Sequence, residues 1–431
     1  MSAVKTSALL NITCECVLLQ ELLQDHCRMR VCFVMAGLPH YFVLILNKMV
    51  STYGTEVILI KPSQKSKAVG SGVKEDKSAA NFRLLELPEY TTWYGKPFFE
   101  NLIPTLKEIK PDIVVMSAWP YFLQMVLNPG FYSQLKSVGA KLICRDIPFN
   151  ISYWGKSREY YYSGQNLTED LSVNGKNLKG YLYFKAITWL RKIYLPLADA
   201  HINYYDEGRD IIASYGVPKE KIFIAANSPD TDELLAAYDE VLKQPEILPA
   251  NPHRLIHVGR LVKWKRVDML IQSVKDLKRF FPDIELVVVG FGPEEEALKQ
   301  LAVKLEVADH VKFVGGVYDA VTLGRYLHVS SVYMLGGMGG LSINDAMCFA
   351  KPVICSVADG TERRLVRDGY NGSYFENGNQ ESLNLKIKSL LQDPDKIKTF
   401  GDNSLRIIKE EINIHSVLRE YMVAFEYVLS H

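Results

Sequence analysis

The sequence has few cysteines that could pair and no excess of charge of either sign. Its seven cysteines are an odd number and form no C-x-x-C motif, and Cys14 and Cys16 are the only close ones. This usage argues against a disulfide framework and a cysteine zinc site, and it is typical of a reducing compartment. A formal net charge of +1 argues against nucleic acid as a partner, because contacts to the phosphate backbone normally require a basic excess.

Long apolar runs and metal-ligand clusters are also missing. No stretch of about 18 uninterrupted apolar residues occurs, so we predict no transmembrane helix. The apolar segment within residues 1–28 is interrupted by Glu15 and Glu21 and precedes no small-residue cleavage site, so we do not interpret it as a signal peptide. It is either an accessory helix or an extension upstream of the natural start, and we expect a cytoplasmic protein. No group of His, Cys and carboxylates has the spacing of metal ligands, so we predict no metal site.

From residue 29 onward, short apolar strands alternate with segments of helical periodicity. This alternation predicts parallel sheets covered by helices on both faces. The predicted helices include residues 41–53 and 98–109. The first series of predicted strands lies at residues 30–35, 56–60, 113–116, 141–144, 200–204 and 222–225. A second series follows a proline-rich interval at 227–252 and lies at residues 255–258, 286–289, 311–313, 332–335 and 353–355.

These series predict an α/β protein with two Rossmann-like, doubly wound domains that face each other across a cleft. Ligands bind beyond the carboxyl ends of the strands in such sheets, so we expect Gly37 on one wall and the glycine-rich turn at 336–340 on the other. The polar interval at 63–81 has no apolar periodicity and is predicted to be a mobile loop. The predicted parts are an N-terminal extension at 1–28, a first domain at 29–232, a second domain at 253–412 and, at 413–431, a C-terminal helix that returns toward the first domain.

The stretch at 332–356 has the pattern of a strand, a glycine-rich turn, a helix and a second strand. Four of the five residues at 336–340 are glycine, which lets the backbone approach a ligand closely, and the next helix aims N–H groups at the turn. We expect the turn to need conformations that a residue with a Cβ reaches only at a cost, and a side chain there to crowd the ligand. Asp345 is placed to accept hydrogen bonds from a ribose or sugar diol, or it only complements the helix dipole.

Basic residues follow the predicted strand at 255–258. Arg260 offers a planar guanidinium and Lys265 an ammonium, a pair that suits a diphosphate, although such residues are also common on a solvated surface. The turns after the next two strands contain Gly290, Gly292, Gly315 and Gly316. Each of these turns either brings backbone groups against a nucleotide base or is an ordinary turn.

The chain resembles the donor-binding half of the family-four retaining glycosyltransferases, which are glycosyl transferases of group 1 with the GT-B architecture. The resemblance lies in four ordered motifs: HVGRLVKWKRVDMLIQS, VVVGFGPEEEALKQLAVKL, ADHVKFVGGV and LSINDAMCFAKPVICS. The run ADAHINYYDEGRDIIASYGVPKEKIFIAANSPDTDEL is similar to the end of that family's first domain. The resemblance covers residues 29–425 and implies a nucleotide sugar as the donor substrate, with no other cofactor.

The resemblance assigns roles to individual residues. Arg260 and Lys265 match the basic pair that neutralises the departing diphosphate, and Asp345 matches the second acid of a paired-glutamate motif, which holds the ribose. The first acid is absent because Gly337 stands eight positions before Asp345, and backbone N–H groups are the expected substitute. The implied donor-binding residues are Gly37, Gly259, Gly316, Val317, Gly337, Gly339, Gly340, Leu341 and Asp345.

The acceptor side is predicted from the first domain. His40 and Asp146 are either acceptor contacts or loop residues with partners of their own. The segment at 180–195, GYLYFKAITWLRKIYL, combines aromatic and aliphatic residues with Lys185, Arg191 and Lys192. It is either a basic aromatic helix that lies on an anionic membrane, or a helix that faces the core and has a solvated basic edge.

We therefore predict a metal-independent retaining glycosyltransferase that acts in the synthesis of a glycan. Its partners would be a nucleotide-sugar donor, an acceptor that is a glycan or a lipid-linked saccharide, and the inner face of a membrane if the segment at 180–195 lies on it. Two alternatives remain open. One is an inactive subunit that binds a nucleotide sugar, and the other is a nucleotide-sugar epimerase of the same fold.

Overall fold

The computed structural model describes residues 29–63, 79–117, 121–146, 151–163, 177–357, 360 and 362–431. The predicted extension at 1–28 and most of the predicted loop at 63–81 lie outside these residues. The chain divides into two compact units. One unit contains Met1–Arg145, Ala198–Ala200 and Phe425–His431, and the other contains Asp146–Leu197 and His201–Ala424. The domain limits given above stay predictions.

The first sheet is built from strands of the first half of the chain. The strands of this half are β1 (Arg30–Val34), β2 (Glu56–Pro62), β3 (Arg83–Leu87), β4 (Glu89–Thr91), β5 (Pro97–Phe99), β6 (Ile113–Ser117), β7 (Lys141–Arg145), β8 (Ala200–Asn203) and β9 (Ile222–Ile224). The sheet has the order β3-β2-β1-β6-β7-β8-β9, and every pair with a described register is parallel. Strands β4 and β5 form a separate antiparallel hairpin.

The second sheet is built from strands of the second half. They are β10 (Arg254–Val258), β11 (Glu285–Val289), β12 (Val311–Gly315), β13 (Val332–Leu335), β14 (Val353–Cys355) and β15 (Gly372–Tyr374). Their order is β12-β11-β10-β13-β14-β15, and all pairs are parallel. Strands β11 and β12 therefore lie on one side of β10, and strands β13, β14 and β15 lie on the other side.

Helices connect the strands of both sheets. In the first half they are α1 (His40–Tyr53), α2 (Leu102–Ile109), α3 (Gln124–Leu127), α4 (Phe131–Lys136), α5 (Ser157–Tyr162), α6 (Leu178–Tyr194) and α7 (Asp206–Ser214). Those that follow are α8 (Thr231–Val241), α9 (Val267–Leu277), α10 (Glu295–Lys304), α11 (Ala320–His328), α12 (Ser342–Cys348), α13 (Glu362–Leu365), α14 (Gln380–Leu391), α15 (Pro394–Glu410) and α16 (Ile414–Ser430). In the described part of the chain, no helix is long and apolar enough to cross a membrane.

All the predicted strands are present, and their ends differ from the prediction by no more than two residues. Strands such as β10 and β11 are buried along their whole length, which explains their continuous apolar sequences. The prediction of a helix over 98–109 is wrong at its beginning, because β5 ends at Phe99 and α2 begins at Leu102. Strands β3, β4, β5 and β15 were not predicted, because they are short and β3 is partly exposed, so they lack a clear apolar run.

A buried charge cluster fixes the beginning of the second sheet. Arg254 in β10 is 2% exposed and donates to the Glu285 carboxylate in β11, while the Lys312 ammonium in β12 lies 2.6 Å from the same carboxylate. The Arg254 guanidinium also donates to the carbonyls of Pro249 and Val329, at 2.7 and 2.9 Å. Burial alone would raise the pKa of Glu285, but the hydrogen bonds from Lys312 and Arg254 hold it below its usual value. Because a buried charge needs a partner, this cluster constrains the register of β10, β11 and β12.

Candidate functional site

The candidate site lies at the point where the strand order of the second sheet reverses, between β10 and β13. Strand β10 pairs with β11 on one side and with β13 on the other, so the loops that follow β10 and β13 begin side by side. In doubly wound sheets, this position at the carboxyl ends of the strands is where ligands bind. The loop after β10 carries Arg260 and Lys265, and the loop after β13 is the glycine-rich turn at 336–340. The structure therefore brings together residues that the sequence places far apart.

Lys265 joins the two loops directly. Its Nζ donates to the carbonyl oxygens of Met338 and Gly339, at 3.0 and 2.7 Å. The backbone N–H of Met338 in turn donates to the Trp264 carbonyl at 2.9 Å. Lys265 thus has a structural function at the turn, because its ammonium satisfies two of the turn's carbonyl groups, and its predicted role at a diphosphate stays a prediction.

Arg260 is more available than Lys265. The residue is partly exposed, and within the described residues its guanidinium makes no hydrogen bond or ion pair. Its loop is fixed by backbone bonds, since Gly259 N–H donates to Val289 O at 2.9 Å and Leu261 N–H donates to Phe291 O at 3.0 Å. A guanidinium on a fixed loop with no protein partner is well suited to an anionic ligand.

Close approach between loops explains the glycines that follow β11 and β12. A Cβ on Gly290 would lie 1.9 Å from Gly259 O, and its φ of +140° also favours glycine. A Cβ on Gly316 would lie 2.8 Å from the Phe291 ring. Gly316 and Val317 follow β12, and Gly315 O accepts a hydrogen bond from Gly290 N–H at 2.7 Å. The loops after β10, β11 and β12 therefore form one continuous edge.

The glycine-rich turn needs glycine for a different reason from the one expected. None of its four glycines has a positive φ. A Cβ on Gly337 would instead lie 2.0 Å from Trp264 O, and one on Gly336 would lie 2.4 Å from Arg266 O. A side chain at Gly337 would thus meet the protein's own backbone before it met a ligand. The acid that is absent from this position has no space in this conformation of the loop.

Asp345 lies on the first turn of α12, and its N–H donates at 3.1 Å to the carbonyl of Leu341, the residue before the helix. Burial raises the pKa of the Asp345 carboxyl to about 7. Within the described residues, this carboxyl group has no hydrogen-bond or ion-pair partner. A desolvated acid without a protein partner agrees with a role in binding hydroxyl groups better than with a role at the helix dipole alone.

Two further residues at the site were missed by the sequence analysis. Buried His257 in β10 donates from Nδ1 to Met334 O at 3.0 Å. Burial and the nearby Lys265 ammonium lower the pKa of His257 to about 4, so the ring is neutral at physiological pH. Glu362 is fully buried, and its Oε1 lies 3.4 Å from the place of a Cβ on Gly339. Neither residue has a spacing in the sequence that would relate it to the turn.

The remaining predicted residues belong to the first half of the chain. Gly37 follows β1 and is half-buried, and His40 is the exposed first residue of α1. Asp146 follows β7, its N–H donates to Ile202 O at 3.0 Å, and its carboxylate helps to raise the pKa of Arg191. The roles of Gly37, His40 and Asp146 stay predictions, and the interaction with Arg191 favours the alternative in which Asp146 has a partner of its own.

Helix α6, which contains most of the predicted basic aromatic segment, does not face the core. Among its residues, only Thr188 and Tyr194 are buried. The large side chains that it exposes are Leu178 (66%), Leu182 (55%), Tyr183 (58%), Trp189 (59%) and Ile193 (37%). Of the three predicted basic residues, Lys185 is exposed, the Arg191 guanidinium is buried, and Lys192 Nζ lies 5.5 Å from the Trp154 ring centre. The exposed face of α6 is therefore more apolar and less basic than the sequence indicates.

No metal site is found in the part of the chain that the structure describes. Its His, Cys, Asp and Glu side chains form no group of three or more that could hold a metal ion. The prediction of a metal-independent reaction stays a prediction.

The contact between Gly337 and Trp264 leads to a test. Gly337→Ala should lower the stability by about 1–3 kcal/mol, because the added methyl group cannot fit against the Trp264 carbonyl. Gly339→Ala is the matched control, since its Cβ would have no neighbour closer than 3.4 Å. Thermal unfolding of both variants would measure the difference. Equal melting temperatures for Gly337→Ala and the unmodified protein would contradict the proposed close approach.

The raised pKa of Asp345 predicts a pH dependence of stability. An unfolded aspartate titrates near about 3.9, so between that value and about 7 the folded state binds a proton that the unfolded state does not. The contribution of this group to stability is therefore present below pH 4 and is lost as the pH rises toward 7. Asp345→Asn should remove this part of the slope in unfolding experiments between pH 4 and 8, and the exposed Asp309→Asn should not. An unchanged slope in Asp345→Asn would disprove the assignment.

Comparison with known proteins agrees with this geometry. The family description "Glycosyl transferases group 1" matches residues 238–406, which contain Arg260, Lys265 and Asp345. An uncharacterized glycosyltransferase of Methanocaldococcus jannaschii is 33% identical over 181 residues, which are 41% of this chain and 45% of that protein. The GDP-mannose-dependent alpha-(1-6)-phosphatidylinositol monomannoside mannosyltransferase of Mycolicibacterium smegmatis is 28% identical over 158 residues, which are 34% of this chain and 41% of that protein. The matched region thus spans less than half the length of either relative.

Solved structures extend the likeness to nearly the whole chain. Anabaena Alr3699/HepE in complex with UDP has a TM-score of 0.64 at 15% identity, and the match covers 92% of this chain and 99% of that one. The same protein in complex with UDP-glucose has a TM-score of 0.61 at 16% identity, over 93% and 99% of the two chains. At this identity, the likeness shows the fold. Residues 238–406 are thus similar to the glycosyl transferases of group 1, and the two parallel-sheet α/β domains have the fold of GT-B glycosyltransferase structures.

Proposed function

We propose that this protein is a retaining glycosyltransferase that moves a sugar from a nucleotide sugar to a glycan or a lipid-linked saccharide. The observation that carries the proposal is the junction of the loops after β10 and β13, where Lys265 binds the carbonyls of the glycine-rich turn. Arg260 lies on the first of these loops with its guanidinium partly exposed. The complexes of HepE with UDP and with UDP-glucose support a nucleotide sugar as the donor.

Each group at the site has a role in this reaction. Arg260 and Lys265 would bind the diphosphate, backbone N–H groups of the turn would bind the donor sugar, and the Asp345 carboxylate would accept hydrogen bonds from the ribose. The acceptor hydroxyl would attack the sugar carbon on the face that the diphosphate leaves, and the departing phosphate oxygen would take its proton. Fixed positive charges then stabilise the charge that develops on the leaving group, which is usually the largest catalytic contribution. No cofactor or metal ion is required for this chemistry.

Donor hydrolysis in the absence of acceptor tests this function. We expect slow release of free sugar from UDP-glucose or GDP-mannose, with retained anomeric configuration, when the reaction is followed by proton NMR. EDTA should change the rate by no more than about twofold, because the cations at the site are side chains. An epimeric nucleotide sugar would identify an epimerase, and donor binding without turnover would identify an inactive subunit. Complete loss of activity in EDTA that a divalent metal restores would disprove metal independence.

Arg260 provides the sharpest mutational test. A charge-assisted hydrogen bond contributes about 1.5–3 kcal/mol, so Arg260→Ala should reduce kcat/KM for the nucleotide sugar by roughly tenfold or more. The exposed Lys263 on the same loop is the matched control, and Lys263→Ala should have a small effect. Lys265→Ala should reduce both donor use and melting temperature, because it also holds the turn. If Arg260→Ala keeps full activity, the diphosphate site is assigned to the wrong residue.

We also propose that α6 contacts a membrane surface, where a lipid-linked acceptor would be found. Leu178, Leu182, Trp189 and Ile193 are spaced along one face of the helix, and all four are exposed. The exposed Lys185 adds a positive charge beside them. An exposed apolar face of this length, with a basic residue at its side, is typical of helices that lie in a lipid interface.

The apolar face, and not the basic residues, should dominate membrane binding. Leu182→Asn combined with Trp189→Asn should weaken binding to phosphatidylglycerol vesicles at least roughly tenfold, because each buried apolar side chain contributes about 1.5–3 kcal/mol. Lys185→Gln should have a smaller effect, near about 1 kcal/mol. Leu385→Asn, at a side chain that is 61% exposed on α14, is the matched control. Vesicle co-sedimentation would measure all variants, and no binding by the unmodified protein would disprove the membrane contact.

A further inference from the structure

The β4–β5 hairpin presents a tryptophan to solvent. Trp93 is 84% exposed, the largest exposed fraction of any large apolar side chain among the described residues. Tyr90, in β4 of the same hairpin, is 40% exposed. Exposed aromatic rings with polar tips are common on surfaces that bind ligands, so this pair is a candidate binding surface.

The hairpin holds the tryptophan on a rigid turn. Thr92 Oγ1 donates to Lys96 O at 2.7 Å, and the Lys96 N–H donates back to Thr92 Oγ1 at 3.1 Å. The Gly95 N–H donates to Thr92 O at 2.9 Å, and a φ of +74° at Gly95 closes the turn. At the base of the hairpin, Phe98 and Phe99 are buried. The ring of Trp93 is therefore presented at low cost in conformational entropy, as in rigid binding surfaces.

Tyr94 connects this ring to buried polar groups of the same unit. The Trp93 and Tyr94 rings form an edge-to-face pair with their centres 5.2 Å apart, and the Tyr94 hydroxyl accepts a hydrogen bond from Gln124 Nε2. Gln124 is fully buried, and within the described residues its Oε1 has no hydrogen-bond partner. Glu89 accepts a hydrogen bond from the Tyr121 hydroxyl at 2.8 Å, and burial raises the pKa of the Glu89 carboxyl.

The hairpin also lies at the ligand-binding edge of the first sheet. It follows directly after the carboxyl end of β3, and the segment with Tyr121 and Gln124 follows the carboxyl end of β6. This sheet changes direction between β1 and β6, where ligands bind in doubly wound folds. None of the residues that the sequence analysis assigned to the donor belongs to this cluster.

We propose that Trp93, with Tyr94 beside it and Tyr90 on the same hairpin, is a stacking platform for one pyranose ring of the acceptor saccharide, an inference that rests on the proposed function. A pyranose ring has a face of C–H groups that packs on the negative face of an indole ring. Its hydroxyl groups require acceptors and donors, which the hydroxyls of Tyr90 and Tyr94 on the same hairpin supply. A lipid interface would require an extended apolar face, whereas the hairpin also carries the polar Thr91 and the charged Lys96. A stable protein partner would require about 800 Å² on this side, far more than two aromatic rings offer.

Saturation-transfer difference NMR with the methyl glycosides of glucose, galactose, mannose and N-acetylglucosamine tests the platform. The unmodified protein should give a signal with at least one glycoside, and Trp93→Ala should reduce that signal roughly three- to tenfold. Trp93→Phe should keep part of it, because a smaller ring still stacks. Phe280→Ala, at an aromatic side chain that is 44% exposed on the other unit, is the matched control and should change nothing. Equal melting temperatures would show that each variant is folded.

Two results would overturn the inference: a signal that is equal in Trp93→Ala and the unmodified protein, or no signal with any of the four glycosides. Donor hydrolysis by the unmodified protein separates this outcome from failure of the proposed function. Hydrolysis without glycoside binding at Trp93 would leave the transferase and remove the platform. Glycoside binding at Trp93 without hydrolysis of any nucleotide sugar would leave a saccharide-binding site and remove the transferase.

Discussion

The candidate site depends on the contact between the backbone at Trp264 and the glycine-rich turn. The Trp264 carbonyl accepts the Met338 N–H, and Gly337 lies so close to the same carbonyl that any Cβ would collide with it. Lys265 then binds two carbonyls of the turn. Because all these bonds are made by the protein itself, the turn is formed before any ligand arrives. Such pre-organisation lowers the cost of binding and of stabilising charge in a reaction.

This contact also explains the departure from the family pattern. The resemblance places an acid at Gly337, and the structure has no space for one while the loop after β10 stays in this position. The acids that are present enter from other elements, since Asp345 lies on α12 and Glu362 on α13. The absence of an acid at Gly337 therefore agrees with the close approach of the two loops.

Two surfaces expose large apolar side chains to solvent. The exposed face of α6 carries aliphatic and aromatic side chains along the helix, whereas the β4–β5 hairpin presents aromatic rings next to polar groups. The first surface is suited to a lipid interface, because it presents mainly apolar side chains. The second is suited to a ligand that has both C–H and hydroxyl groups. The different chemistry of the two surfaces is the reason for assigning them different partners.

The sequence by itself determined the class of the fold and supplied the main candidate residues for the site. Strands such as β10 and β11 are covered on both faces, so their continuous apolar sequences predicted them, and the order of glycine and basic residues after them predicted Arg260, Lys265 and Asp345 as candidates. The short strands β4 and β5 were missed because the burial of Phe98 and Phe99 is decided by residues distant in sequence, such as Phe131 and Tyr121. Periodicity could not show which face of α6 is exposed or that the Arg191 guanidinium is buried. Only the tertiary structure decided that Gly337 meets Trp264, because a steric contact between two loops depends on how the sheet brings their strands together.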